Sequence, residues 1–183
     1  MSRILLIDDE IGILNALQRL LRKVPCTHAG RVFDLETECF TSPSEALRRI
    51  LHTPFDLILS DYRMPEMDGV SLLVAARDVQ PDAMRLILSG YADLNGLQRA
   101  INDACIHRFI SKPWNDHELM ATLGQSLAQR ELMLENRRLA DLMRLDIGEI
   151  SAAEFEARAL ESVEPGITRV HWGPDGSVLL DDD

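Results

Sequence analysis

Short apolar runs alternate along this chain with longer stretches in which apolar residues return every three or four positions. That pattern predicts parallel strands covered by helices. Ile4-Leu5-Leu6-Ile7 is apolar throughout and stops at Asp8-Asp9, as a strand buried on both faces does. Ile11, Leu14, Leu17, Leu20 and Leu21 then follow at helical spacing. A weaker strand covers Leu35–Phe40, and Ser42-Pro43-Ser44-Glu45 opens the next helix, with proline near its first position. Asp56–Ser60 predicts the third strand, ending at Asp61. A loop with Pro65 and Gly69 leads to a helix over Val70–Val79. Arg85–Leu88 is the fourth strand, before Ser89-Gly90 and a helix over Asp93–Ala104. Arg108–Ser111 is the fifth, before Lys112-Pro113 and a long helix from Asn115. Five strand–helix alternations make the expected fold an α/β doubly wound, five-stranded parallel sheet.

The last helix runs on. Gly124 is the one strong breaker between Asp116 and Leu145, and residues 129–144 are rich in good helix formers. Leu132, Leu139 and Leu142 have heptad-compatible spacing, but Glu135 occupies the seam between them, so the reading is a protruding helix. Ser151-Ala-Ala-Glu154 then matches a capping box for a short helix to Ser162, and Pro165-Gly166 breaks the chain. Thr168–Trp172 and Ser177–Leu180 flank Gly173-Pro174-Asp175-Gly176, the pattern of a hairpin. The expected organisation is therefore a domain over 1–124, a protruding helix over 125–146 and a small acidic tail over 147–183.

Charge and composition narrow the function. The chain has 183 residues, is 46% hydrophobic and 27% charged, and carries a net charge of −11. That sign opposes binding nucleic acid or an anionic membrane through the bulk surface. Residues 1–124 hold 13 basic and 17 acidic groups, and residues 125–183 hold 6 and 13, so the tail is no DNA-binding module. No stretch approaches the ~20 apolar residues of a membrane span, and no signal-peptide core is present, so a cytoplasmic location is expected. Cys26, Cys39 and Cys105 form no CxxC pair and read as reduced, buried thiols.

In open α/β sheets, ligands gather at the carboxyl ends of the strands. This sequence places Asp8 and Asp9, Asp61, Ser89 and Lys112 there, each at its own strand end. Clustered carboxylates repel unless a cation intervenes, and an all-oxygen set suits Mg²⁺. Lys112 supplies a positive charge for a carboxylate or a phosphoryl oxygen, and Ser89 a hydroxyl donor. Together they fit phosphoryl transfer to a carboxylate nucleophile. One such residue alone would be an ordinary cap or turn; five in this order are not.

Asp8-Asp9, Asp61-Tyr62-Arg63-Met64-Pro65, Met67-Asp68-Gly69, Ser89-Gly90-Tyr91-Ala92 and Phe109-Ile110-Ser111-Lys112-Pro113-Trp114 resemble the receiver domain of bacterial two-component response regulators over about residues 2–124. The resemblance implies a flavodoxin-like strand order 2-1-3-4-5 and Asp61 as acceptor of a phosphoryl group from a sensor histidine kinase or phosphotransfer protein. It also implies Mg²⁺ held by Asp9, Asp61 and the Arg63 carbonyl, with Asp8 acting through water. Ser89 and Phe109 would be the switch residues, Lys112 the phosphoryl partner, and the Lys112–Pro113 bond cis. Two departures stand out. About ten residues near Pro25–Phe33 look like an inserted loop, away from the site, and nothing after Leu145 resembles an output domain. The reading is a regulator that signals through protein contact, with an unidentified output partner and a homodimer through the last helix and tail as the candidate assembly. Two alternatives are a scaffold with a vestigial site and a dehalogenase-type phosphohydrolase, which wants an Asp-x-Asp pair that Asp8-Asp9-Glu10 does not supply. Among the remaining residues, Trp114 reads as helix packing, Cys26-Thr27-His28 as loop, His107 and His117 as loop and helix surface, and Trp172 as an anchor for the hairpin.

Overall fold

The computed structural model describes residues 1–90, 106–163 and 167–168. The helix expected over Asp93–Ala104, Cys105, the Pro165-Gly166 break, the tail hairpin and Trp172 lie outside the described residues. The chain divides into two compact units, residues 1–134 and 135–183.

In the first unit, β1 (Ser2–Ile7), β4 (Leu35–Phe40), β5 (Leu57–Asp61), β6 (Met84–Gly90) and β7 (Arg108–Lys112) form a parallel sheet in the order β4-β1-β5-β6-β7. Counted among these five strands, that is the expected flavodoxin-like order 2-1-3-4-5. Successive strand residues face opposite sides, so both faces of a central strand need apolar groups. Ile4 and Leu6 join Leu57, Leu59, Leu86 and Leu88 on one face, under α1 (Ile11–Lys23) and α4 (Asp116–Asp146). Leu5 and Ile7 join Ile58 and Ile87 on the other, under α2 (Pro43–His52) and α3 (Gly69–Val79). The unbroken apolar run of β1 is thus explained by two cores. Ser42 caps α2, accepting from the Glu45 N–H, with Pro43 in its first turn, and Asp68 caps α3, accepting from the Ser71 N–H at 2.7 Å.

The amino-terminal edge of the sheet is tied by a polar knot. Buried Gln80 donates to the Ile50 and Thr53 carbonyls, both at 2.6 Å, and accepts from the Phe55 N–H at 2.8 Å. Buried Arg85 donates to the Pro81 and Ala83 carbonyls, while its own N–H donates to His107 Nδ1 at 3.0 Å. His107 lies in the loop just before β7, as expected, where its ring accepts from β6, and His117 lies exposed in the first turn of α4.

The segment read as an inserted loop is a hairpin, and this corrects the expectation. β2 (Cys26–His28) pairs antiparallel with β3 (Arg31–Phe33) through a two-residue turn, Ala29-Gly30. Both turn residues have positive φ, 48° and 80°, the handedness that matches strand twist. Glycine takes this conformation freely, but alanine does so at a cost, which is why the pair gave no turn signal in the sequence.

The second unit holds the end of α4, a turn at Gly148 (φ +74°), and α5 (Ala152–Val163). The capping box forms as expected: the Ser151 N–H donates to Glu154 at 2.7 Å, and the Glu154 N–H to Ser151 Oγ at 3.2 Å. Asp141 accepts from Arg144 and Arg158 at 3.0 and 2.7 Å, linking the two helices. Those guanidiniums outweigh burial, which alone would raise its carboxyl, and hold it below its usual range. Among the described residues, no helix is long and apolar enough to cross a membrane.

Candidate functional site

Parallel pairing brings the strand ends to one edge. In register, Asp61 lies opposite Leu88, and Gly90 opposite Lys112. Asp8 follows β1 directly and is buried, whereas Asp9 is exposed. Lys112 Nζ stands 2.6 Å from Asp8 Oδ2 and 2.5 Å from Asp61 Oδ1, bridging the first and third sheet strands from the fifth. The remaining oxygen of each carboxylate takes a backbone donor: the Glu10 N–H meets Asp8 Oδ1 and the Arg63 N–H meets Asp61 Oδ2, both at 2.9 Å. Two carboxylates thus share one ammonium.

The electrostatics follow from that ratio. Burial pushes the Asp8 carboxyl above its ordinary value, and the Lys112 hydrogen bond only partly opposes it. Burial alone would lower Lys112, but its hydrogen bonds to Asp61 and Asp8 prevail and hold the ammonium above its ordinary value. A buried anion in excess is a standing demand for a second cation. The oxygens brought together here are those of the Asp8 and Asp61 carboxylates. Among the described residues, no group of three or more His, Cys, Asp and Glu side chains is gathered closely enough to hold a metal ion by itself. Two carboxylates are the kind of partial ligand set that Mg²⁺ accepts, since it keeps much of its hydration and shares phosphate oxygens.

The other expected residues are placed as follows. Ser89 is buried, and its Oγ donates to the Gly90 carbonyl at 3.1 Å. Phe109, opposite Ile87, is half-buried against the core beneath α2 and α3. Lys112–Pro113 is cis, and Trp114 packs against the core beneath α1 and α4. Tyr91 and Ala92 lie outside the described residues.

The loop after Asp61 is held by residues that the motif contained without showing their role. Gly69 N–H donates to the Tyr62 carbonyl at 3.0 Å, and a Cβ there would collide with the Asp61 carbonyl oxygen. The Asp68-Gly69 pair is therefore a cap followed by a forced close approach, which fixes the backbone that carries Asp61. Glu66, with φ +70°, reaches Ser44 on α2, steadying the same loop.

A doubly wound sheet with two acidic strand ends sharing one lysine defines a class of phosphoryl-accepting signalling domain. The chain belongs to the response regulator receiver domain family, which matches residues 4–124. It is 33% identical over 132 residues to the hydrogenase transcriptional regulatory protein HoxA of Bradyrhizobium diazoefficiens, covering 72% of this chain and 25% of that one. It is 29% identical over 136 residues to the C4-dicarboxylate transport transcriptional regulatory protein DctD of Rhizobium meliloti, covering 74% and 27%. The chain thus spans about a quarter of the length of these curated relatives. Among solved structures, it resembles the signal receiver domain of an HD domain-containing protein from Pseudomonas fluorescens Pf-5, with TM-score 0.65 and 33% identity over 73% of this chain and 92% of that one. A CheY-like receiver domain protein from Methanospirillum hungatei matches with TM-score 0.63 and 28% identity over 73% and 98%.

Proposed function

We propose that this chain is a cytoplasmic response regulator that accepts a phosphoryl group on Asp61 from a histidine kinase or phosphotransfer protein. It then signals by phosphorylation-dependent protein contact. The observation that carries the reading is Lys112 held between Asp8 and Asp61 at 2.6 and 2.5 Å. The net charge of −11 supports a protein partner over direct DNA contact by these residues.

In the transfer, an Asp61 carboxylate oxygen attacks phosphorus as the bond to the donor's histidine nitrogen breaks, and the electron pair leaves with that nitrogen. Asp8, Asp9, Asp61 and the Arg63 carbonyl would hold Mg²⁺, which supplies charge neutralisation for the phosphoryl oxygens. Lys112, already on Asp61, is placed to follow the new anion. Aspartyl phosphate brings roughly −1.5 to −2 charges to this edge. Ser89 Oγ then has a stronger acceptor than the Gly90 carbonyl. A hydrogen bond to a charged group is worth about 1.5–3 kcal/mol. Turning a two-state element from 1:99 to 99:1 takes about 5.5 kcal/mol, so Ser89 and Lys112 act together, with Phe109 following Ser89 inward. The end of α4 and the tail are the candidate surface for an output partner or for a second copy. Acetyl phosphate or beryllofluoride with Mg²⁺ tests the reading: wild type gains the adduct and Asp61→Ala does not. An equal signal in both, or none in either, refutes it.

A further inference from the structure

The hairpin Cys26–Phe33 forms its own two-stranded sheet, and several of its contacts are with α4. Cys26 and Phe33 are buried in the same apolar cluster as Leu119, Met120, Leu123 and Leu127. Cys26 Sγ lies 3.9 Å from the Met120 carbonyl oxygen. One turn on, the Thr27 carbonyl comes so near Gly124 that a Cβ there would stand 2.7 Å from its oxygen. Two turns further, Arg31 pairs with Glu131 at 2.6 Å while its guanidinium lies over Phe33. Positions 120, 124, 127 and 131 form one stripe of a helix, so the hairpin follows a single face for three turns. On a neighbouring stripe, Arg130 pairs with Asp56 at 2.6 Å and donates to the Asp82 carbonyl at 3.1 Å.

The family match ends at residue 124, and these contacts continue to 131. The hairpin lies inside the matched residues, and the helix it packs on runs past their end. We propose that the hairpin is a strap that holds α4 on the receiver from Met120 to Glu131 and fixes the point at which the helix leaves it. Gly124 is the seat of the strap, which explains a glycine in the interior of a 31-residue helix, where it costs helix stability.

Amide hydrogen exchange on the full chain tests this, with Gly124→Ala as the main variant. In a free helix, replacing glycine with alanine is stabilising, so exchange over residues 124–134 would slow. In a strapped helix the new methyl lifts the hairpin, and exchange over both 26–33 and 127–134 rises roughly five- to tenfold, the effect of losing one hydrogen-bond-sized contact. Slower helix exchange, or a rise confined to the hairpin, overturns the proposal. Arg130→Ala provides the second test. Full release of 127–134 with the hairpin still protected would assign the hold to Arg130 and overturn the strap; a smaller release than in Gly124→Ala supports it. If Gly124→Ala fails to fold, Arg31→Glu replaces it. The strap then requires faster exchange over 127–134 in that variant and recovery in the double variant Arg31→Glu, Glu131→Arg. No change in the single variant, or no recovery in the double, overturns it.

Discussion

Lowering the pH from 7.5 to 5 should weaken one contact between β6 and the start of β7. Arg85 N–H donates to His107 Nδ1 at 3.0 Å, so that nitrogen must stay unprotonated in the fold. Burial, reinforced by the nearby Arg85 cation, lowers the imidazole from its ordinary 6.5 to about 4. Its value in the fold is depressed, so the neutral ring is favoured there. The stability it contributes is full above pH 6.5 and is lost as pH falls toward 4. At about 1.4 kcal/mol per pH unit the whole effect is roughly 3 kcal/mol, of which about 2 kcal/mol is gone by pH 5. His107→Asn provides the reference, because an amide oxygen can accept the same N–H without titrating. Urea unfolding of both proteins, followed by far-ultraviolet circular dichroism, should show wild type losing about 2 kcal/mol relative to the variant between pH 7.5 and pH 5. A gap that stays constant across that range refutes the assignment. An imidazole midpoint near 6.5 in a proton NMR titration would refute it too.

Two further outcomes follow from the site. Asp8→Asn removes a buried charge that burial already disfavours, so without Mg²⁺ it should raise the urea midpoint of unfolding. The same variant should lose most of the added stability that Mg²⁺ gives wild type; an unchanged Mg²⁺ response counts against Asp8 as part of the cation site. Gly69→Ala drives a methyl into the Asp61 carbonyl and should cost about 2–3 kcal/mol in urea unfolding, with slower uptake of beryllofluoride. Wild-type stability in that variant would mean that the close approach is unimportant.

Local pattern carried most of the sheet. Leu35–Phe40 is a strand with the limits its residues suggest, and β1 and β5 stop at the acidic residues that end their apolar runs. The long helix was legible from helix formers alone, because nothing but Gly124 interrupts them. The strand-end residues were legible because the doubly wound fold converts sequence order into a shared edge. What stayed hidden depends on partners far away in the chain. The hairpin at Cys26–Phe33 is stabilised by residues near Met120 and Glu131, and its Ala-Gly turn lacks the usual Asn or Asp. The roles of Gln80, Arg85 and His107 were hidden for the same reason, since each is defined by a backbone group on another element. The Asp8–Lys112 pairing required knowing which of two adjacent aspartates turns inward, and period alone does not distinguish them.

The position of Asp61 at the end of the fully buried central strand has a consequence for how the chain matures. Its partners come from residue 8 on one side and residue 112 on the other, so more than a hundred residues separate the groups that must meet. Folds built from distant pairings form slowly. A nascent or partly opened chain would present Asp61 as an ordinary carboxylate, without its lysine and without the turn at Gly69. The proposed acceptor is thus silent until the sheet has closed, and readiness to take up a phosphoryl group doubles as a certificate of a finished fold.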